Sequence, residues 1–136
     1  MNTATTKIAN TLIVKLPFPA PSLFPNRKNG KDYHATLGAK QKQKDDGFYA
    51  TKAAGSYSAP AGHIPLSLLY LTPDKRHRDC DNMLAASKAL LDGVALALNI
   101  DDKRFKPILV DWAHGPDKVG ALIVGVGVQI SSGVNL

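Results

Sequence analysis

Short apolar runs, separated by polar or proline-rich sequence, divide the chain into predicted strands. These runs are rich in β-branched residues, which favour the pleated geometry of a sheet. We predict strands over residues 11–16, 64–71, 107–112 and 119–130. Pro65 has no backbone N–H to donate, so we expect it at a sheet edge or at the start of its strand.

Two longer segments have the spacing of helices. Residues 35–54 are rich in Lys and Gln around a thin apolar face, and Gly47 is a position where this helix can break. Residues 81–98 form the clearest predicted helix, because apolar side chains recur every three or four positions and build one buried stripe. That stripe consists of Leu84, Leu91, Val94, Ala95 and Leu98.

The order of these elements is strand, helix, strand, helix, strand, strand, which predicts the fold class α+β. We expect a small mixed β-sheet packed against two main helices. The length of 136 residues fits a single domain over residues 1–136, with loose tails at 1–10 and 131–136.

Composition excludes several classes of protein. Hydrophobic residues make up 44% and charged residues 21% of the chain, as in ordinary soluble domains. Cys80 is the single cysteine, which excludes an internal disulfide and a zinc site built from cysteines. Every apolar run is far shorter than the roughly 20 residues that cross a bilayer, and residues 1–16 do not resemble a signal peptide. We therefore expect a cytoplasmic protein without a membrane partner.

The net charge of +6 lies in the first part of the chain, because residues 61–136 carry equal numbers of basic and acidic side chains. A positive surface favours polyanions such as nucleic acid. Because Lys40, Lys42 and Lys44 are spaced by two, they do not all share one face of a helix. Any one basic residue can equally be a solvated surface charge. The candidate DNA-binding residues are Arg27, Lys28, Lys31, Lys40, Lys42, Lys44, Arg76 and Arg78.

The acids follow a different pattern, since all eleven are Asp and five of them fall within one 24-residue window. Asp79 and Asp81 flank the predicted helix start, where an extended backbone points both carboxylates to one side. Asp101 and Asp102 follow the helix in a turn, so Asp102 can meet the pair only if the chain returns along the helix. Three converging carboxylates would repel one another, and Mg²⁺ or Mn²⁺ would remove that conflict and activate water at a phosphodiester.

Simpler structural roles are also open for these acids. Asp81 alone is a common helix N-cap, and Asp101-Asp102 alone is typical of a solvated turn. Arg76 and Arg78 can serve as ion-pair partners of the acids, while His77 can assist a metal site.

Lys88 follows Asp81 by seven residues, which places the two side chains on nearly the same face of one continuous helix. Its ammonium group can then reach the acidic cluster and neutralise charge on phosphate oxygens during cleavage. The alternative is an ordinary helical ion pair with Asp92 at i+4.

The sequence RDCDNML at 78–84, KALLDG at 88–93 and Asp101-Asp102 resembles the RusA-type Holliday-junction resolvase family, especially its phage-borne members. The proline-rich segment 16–26 is also similar to the opening of that family, and the resemblance covers most of residues 12–112. It implies a small α+β homodimer that binds branched DNA and resolves four-way junctions by paired symmetric nicks. Such an activity would serve recombination, repair or phage DNA processing.

The resemblance also implies the site. Asp79, Asp81 and Asp102 would be catalytic carboxylates that hold Mg²⁺ or Mn²⁺, Lys88 would be their basic catalytic partner, and Asp101 is a fallback for Asp102. One departure is that the lysine of the best-studied form lies four residues after the second Asp, where this chain has Ala85.

Two other functions remain open from the sequence. The chain can be a DNA-binding protein that has lost cleavage, as the displaced lysine would suggest. It can also be a nuclease that acts on RNA or on nucleic acid in general.

Overall fold

The structure is a computed structural model and describes residues 10–24 and 33–130. These residues form four strands and three α-helices. The elements are β1 (Leu12–Leu16), α1 (Tyr33–Ala54), β2 (Ile64–Thr72), α2 (Cys80–Ala86), α3 (Lys88–Leu98), β3 (Phe105–His114) and β4 (Ala121–Val126). Short 3-10 helices occupy Pro21–Leu23 and Asp102–Arg104. The predicted tails lie outside the described residues, apart from residue 10.

The strands form a mixed sheet in the order β1-β4-β2-β3, which confirms the predicted α+β class. β4 is antiparallel to both β1 and β2, while β2 and β3 are parallel. A parallel pair needs a long crossover, and α2 with α3 supplies it. Pro65 lies at the start of the interior strand β2, next to a shift in register, so its predicted edge position is wrong and its strand-start position is confirmed.

The core lies between the sheet and the helices. In β1 buried and exposed residues alternate, so Leu12, Val14 and Leu16 face inward. They meet side chains of β2, α3 and β4 that are almost completely buried, such as Leu68, Leu90 and Val124. Within the described residues, no helix combines the length and the apolar character that crossing a membrane requires.

Helices α1 and α3 cross with their backbones in contact. A Cβ atom built on Gly47 of α1 would collide with the carbonyl oxygen of Leu90. One built on Gly93 of α3 would collide with the carbonyl of Lys44 and lie 2.7 Å from the backbone nitrogen of Phe48. Helix α1 therefore continues through Gly47, contrary to the expected break, because that glycine is needed for close packing.

The predicted continuous helix over residues 81–98 is wrong, because the helix is interrupted at Ser87. The Ser87 hydroxyl donates to the Met83 carbonyl oxygen at 2.7 Å and lies 2.7 Å from the hydroxyl of Tyr70 on β2. Side-chain bonding to a carbonyl one turn earlier commonly bends helices. Asp81 and Lys88 consequently belong to different helices, so their spacing does not place them on one face.

Strand β4 ends at Val126 rather than at residue 130. Gly127 has a φ of 73°, which takes the chain out of the strand. The residues after Gly127 bind to Ser67 of β2 instead. The Ser67 hydroxyl donates to the Val128 carbonyl and accepts from the Ile130 N–H.

Candidate metal and nucleic-acid site

Asp79 and Asp81 lie at the start of α2, at the carboxyl end of β2. Asp79 directly precedes the helix in an extended conformation, and its carboxylate caps no described backbone N–H. Asp81 is the second helical residue, and its Oδ1 accepts a hydrogen bond from the backbone N–H of Asn82 at 3.1 Å. Both side chains are exposed. The interpretation of Asp81 as the N-cap is therefore wrong, since Asp79 occupies that position.

Asp111 of β3 is a third acidic residue at this end of the sheet, and the sequence analysis missed it. Burial raises the pKa of the Cys80 thiol, and the charges of Asp111, Asp81 and Asp79 raise it further. His77 also lies here, with its Nε2 3.7 Å from Asp79 Oδ1. The signal that would have found Asp111 is the parallel pairing of β2 with β3, which brings the carboxyl ends of both strands together.

Asp102 lies at the opposite end of the crossover. It begins the 3-10 helix that leads into β3. The first residue of β3, Phe105, pairs with Ile64, whereas Asp111 pairs with Leu69. At roughly 3.3 Å per residue, the six residues from Phe105 to Asp111 put the two ends on the order of 20 Å apart. Among residues 10–24 and 33–130, no three His, Cys, Asp or Glu side chains are placed to hold a metal ion. The structure thus does not bring Asp102 to the pair at 79 and 81.

Asp102 instead lies beside Asp92 of α3. Burial raises the pKa of the Asp92 carboxyl, and the neighbouring Asp102 raises it further through its charge and polar contact. Lys88, one turn earlier on α3, and Lys44 of α1 oppose that rise. The structure therefore brings together Asp102 and Lys88, two of the predicted catalytic residues. Asp92, which the sequence suggested only as an ion-pair partner of Lys88, completes this acidic pair.

Asp101 has a different role from its neighbour. Its Oδ1 accepts a hydrogen bond from the backbone N–H of Lys103 at 2.9 Å and so caps the 3-10 helix Asp102–Arg104. This hydrogen bond holds the pKa of the Asp101 carboxyl below its usual range. The Asp101 carboxylate is thus engaged in the turn and also contacts the Asp102 side chain, which lies beside Asp92.

A groove of about 480 Å³ between α1 and α3 adjoins the Asp92–Asp102 pair. Lys40 and Lys44, one turn apart on α1, line it together with Lys88 and Asp92. Lys42 is engaged elsewhere, with its Nζ 3.0 Å from Asp46 Oδ2, as expected from the spacing of the three lysines. Three ammonium groups therefore line one groove at the edge of a carboxylate pair.

The two arginines predicted to bind DNA form ion pairs with Asp74, which lies before the acidic segment 79–102. Arg78 Nη1 lies 2.8 Å from Asp74 Oδ1, and its guanidinium stacks on the Phe18 ring at 5.4 Å. Arg76 Nε contacts Asp74 Oδ2 at 3.2 Å. These contacts hold the pKa of the Asp74 carboxyl well below its ordinary value. Arg27, Lys28 and Lys31 lie outside the described residues.

The raised pKa of Asp92 predicts a gain in stability when its charge is removed. The folded protein holds this proton more tightly than the unfolded chain, so stability falls as pH rises from the ordinary carboxyl pKa through the raised one. We expect Asp92→Asn to melt at a higher temperature than the native protein near pH 7, with a smaller difference near pH 4. Thermal unfolding followed by circular dichroism at both pH values measures this.

Asp117 provides a control for which we expect the opposite change in melting temperature. Backbone N–H groups of Gly120 and Val119 donate to it and lower its pKa. Asp117→Asn should therefore melt at a lower temperature than the native protein near pH 7. An Asp92→Asn protein that is less stable than the native protein at neutral pH would contradict the assignment of Asp92 as a destabilised carboxylate.

Comparison with known proteins shows the family of the chain through a relative of unknown function. An uncharacterized protein of Xylella fastidiosa (strain Temecula1 / ATCC 700964) is 34% identical over 125 residues, which cover 87% of this chain and 79% of that protein. No protein-family model matches the chain.

Proposed function

The chain belongs to the same family as the Xylella fastidiosa protein, and we propose that it is a Mg²⁺- or Mn²⁺-dependent endodeoxyribonuclease that cuts branched DNA. The four-way junction is the proposed substrate, and the cytosol is the proposed compartment. The observation that carries this proposal is the contact of Asp102 with Asp92 next to Lys88, at the edge of the lysine-lined groove. The resemblance to the RusA-type family supports it, since Asp102 and Lys88 are among the residues that the resemblance assigns.

The Asp92–Asp102 pair fits a hard divalent cation. Mg²⁺ in enzymes commonly takes only one or two protein carboxylates, with waters and substrate phosphates completing its coordination. Burial is the main cause of the raised pKa of Asp92, and repulsion by Asp102 adds to it. A cation between the two carboxylates would remove that repulsion. When bound, such an ion would lower the pKa of a water molecule and neutralise charge on the phosphodiester.

The lysines of the groove would position the DNA. Lys40 and Lys44 would contact phosphates on either side of the scissile one, because their ammonium groups line the groove next to the carboxylate pair. Lys88 would stabilise the negative charge that develops on the phosphate oxygens during cleavage. Lys88 is exposed, so its side chain can reach DNA in the groove.

A homodimer would match this substrate. A four-way junction has two-fold symmetry, and two copies of one site related by a two-fold axis would make paired, symmetric nicks.

A cleavage assay with labelled four-way, flap and linear DNA tests the proposal. We expect nicks at symmetric positions of the four-way junction when Mg²⁺ is present, and no cleavage after chelation with EDTA. Linear duplex should be cut more slowly at the same salt concentration, which must be matched because salt alone changes affinity. Equal cleavage of all substrates would point to a general nuclease.

The second candidate is a DNA-binding protein without cleavage activity. The distance of Asp79 and Asp81 from Asp102 favours it, because the carboxylates assigned by the resemblance do not form one metal site within the chain. Salt-dependent binding to the junction without nicking, with either Mg²⁺ or Mn²⁺, would identify this function.

A further inference from the structure

A second cleft, of about 510 Å³, opens beside the start of α2. One wall is formed by the rings of Phe18 and Phe24, whose centroids are 6.2 Å apart with their planes inclined by 21°. Tyr70 supports Phe18 from the core in an edge-on contact at 6.3 Å. Prolines 19, 21 and 73 extend this apolar wall. Because the Arg78 guanidinium lies over the Phe18 ring, Phe24 is the aromatic side chain that the cleft offers to one small planar molecule.

The opposite wall is polar and carries unused hydrogen-bonding groups. The side-chain amide of Asn82 is half-buried and has no hydrogen-bond partner among the described residues. Asp74 engages the Nε of Arg76, which leaves the two terminal nitrogens of that exposed guanidinium available. Asp79 adds an exposed carboxylate to the lining, with His77 Nε2 3.7 Å from its Oδ1. A ligand here would meet an aromatic face, an amide, a carboxylate and a cation.

We propose that this cleft binds one unpaired nucleotide of the DNA, with its base stacked against Phe24 and its phosphate at Arg76. This inference rests on the proposed function for its DNA source. Nucleobases stack on aromatic side chains irrespective of sequence, and a guanidinium is well suited to a phosphate. Asn82 presents both a donor and an acceptor to the base edge. Asp79 accepts from an exocyclic amino group, which favours adenine or cytosine over thymine.

The branched substrate supplies such a nucleotide. Base pairs at the centre of a junction open more easily than those in a continuous duplex, and a flap ends in unpaired bases. The lysine-lined groove would hold the duplex arm through its phosphates, while this cleft would hold the displaced base. Recognition of unpaired structure would therefore come from Phe24, and general affinity from the lysines.

Binding of mononucleotides to the full-length protein tests the cleft without requiring cleavage. We expect ¹H–¹⁵N NMR titrations with dAMP to shift the amides of Asn82 and Phe24, with dTMP bound more weakly. The affinity for dAMP should exceed that for deoxyribose 5-phosphate, which lacks the base, by roughly tenfold, since stacking supplies the difference. Equal affinity for these two ligands, or shifts confined to the lysine-lined groove, would overturn the proposal.

Variants assign the binding to named side chains. Phe24→Leu should lose roughly tenfold in dAMP affinity, while Tyr49→Leu, which removes an aromatic ring that is 68% exposed on α1, should leave it unchanged. Arg76→Ala alters only an exposed side chain and so tests the cleft even if Phe24→Leu fails to fold. It should weaken dAMP and deoxyribose 5-phosphate alike. Unchanged binding of dAMP by Arg76→Ala would overturn the assignment of the phosphate.

The two proposals fail separately. A protein that binds dAMP in the cleft but cuts no DNA would contradict the nuclease and support the nucleotide site. A protein that cuts junctions normally but shows no preference for dAMP over deoxyribose 5-phosphate would support the nuclease and overturn the nucleotide site.

Discussion

Gly93→Ala should lower the free energy of unfolding by about 2–3 kcal/mol and the melting temperature by on the order of 10 °C. The added methyl group would collide with the carbonyl of Lys44 and the backbone nitrogen of Phe48. These are backbone atoms of a helix, so they cannot turn aside as a flexible side chain would. Helices α1 and α3 must separate instead, which opens gaps in the core around Leu90 and Val94.

Gly38→Ala is the matched control, because Gly38 lies in the same helix α1 and a Cβ there meets no described atom within 4 Å. Alanine favours a helix over glycine by about 0.5–1 kcal/mol, so this variant should be slightly more stable than the native protein. Chemical denaturation of both variants measures the difference. If Gly93→Ala proves as stable as Gly38→Ala, the close crossing of the helices is wrong.

Asp102→Asn should reduce the rate of junction cleavage roughly 1,000-fold while leaving junction binding unchanged. The substitution keeps the size of the side chain but removes one of the two carboxylates proposed to hold the cation. The lysines of the groove are untouched, so the contacts with DNA phosphates remain. Single-turnover cleavage and a gel-shift titration, both in Mg²⁺ at one salt concentration, measure the two quantities.

Asp101→Asn is the neighbouring control and should retain most of the cleavage activity, since asparagine keeps a side-chain oxygen that can accept from the Lys103 N–H and contact Asp102. Asp81→Asn distinguishes a metal site at Asp92 and Asp102 from one at the start of α2. The resemblance implies that it abolishes cleavage, whereas a single metal site at Asp92 and Asp102 would leave the rate intact. If Asp102→Asn cuts junctions at the native rate, the site proposed at this end is wrong.

The periodicity of apolar residues predicted the elements well where only one face of a strand or helix is buried. The strand over residues 11–16 was recognised because alternate side chains of β1 are buried. The helix over 35–54 was recognised despite its weak apolar face, and it proved continuous. Its uninterrupted path through Gly47 depends on the backbone of α3, which lies more than forty residues away along the chain, so no local pattern around Gly47 indicates it.

Long-range contacts explain the remaining errors. The interruption at Ser87 depends on the contact of its hydroxyl group with Tyr70 of β2. The spacing of apolar residues along the helix does not indicate that contact. The resemblance grouped Asp102 with Asp79 and Asp81, which requires the chain to return along the helix to the start of α2. A parallel crossover keeps its two ends apart, so Asp102 contacts Asp92 within the returning helix instead. Only the order of strands in the sheet distinguishes these arrangements.

The close crossing of α1 and α3 at Gly47 and Gly93 also sets a distance that matters for the proposed binding of DNA. Because α1 and α3 touch through their backbones, the lysines of α1 are held at a fixed separation from Lys88 across the groove. Phosphates along a DNA strand have a regular spacing, so the width of this groove would select the backbone of the proposed DNA substrate. The absence of a side chain at Gly47 and Gly93 would thereby link the stability of the core to the fit of that substrate.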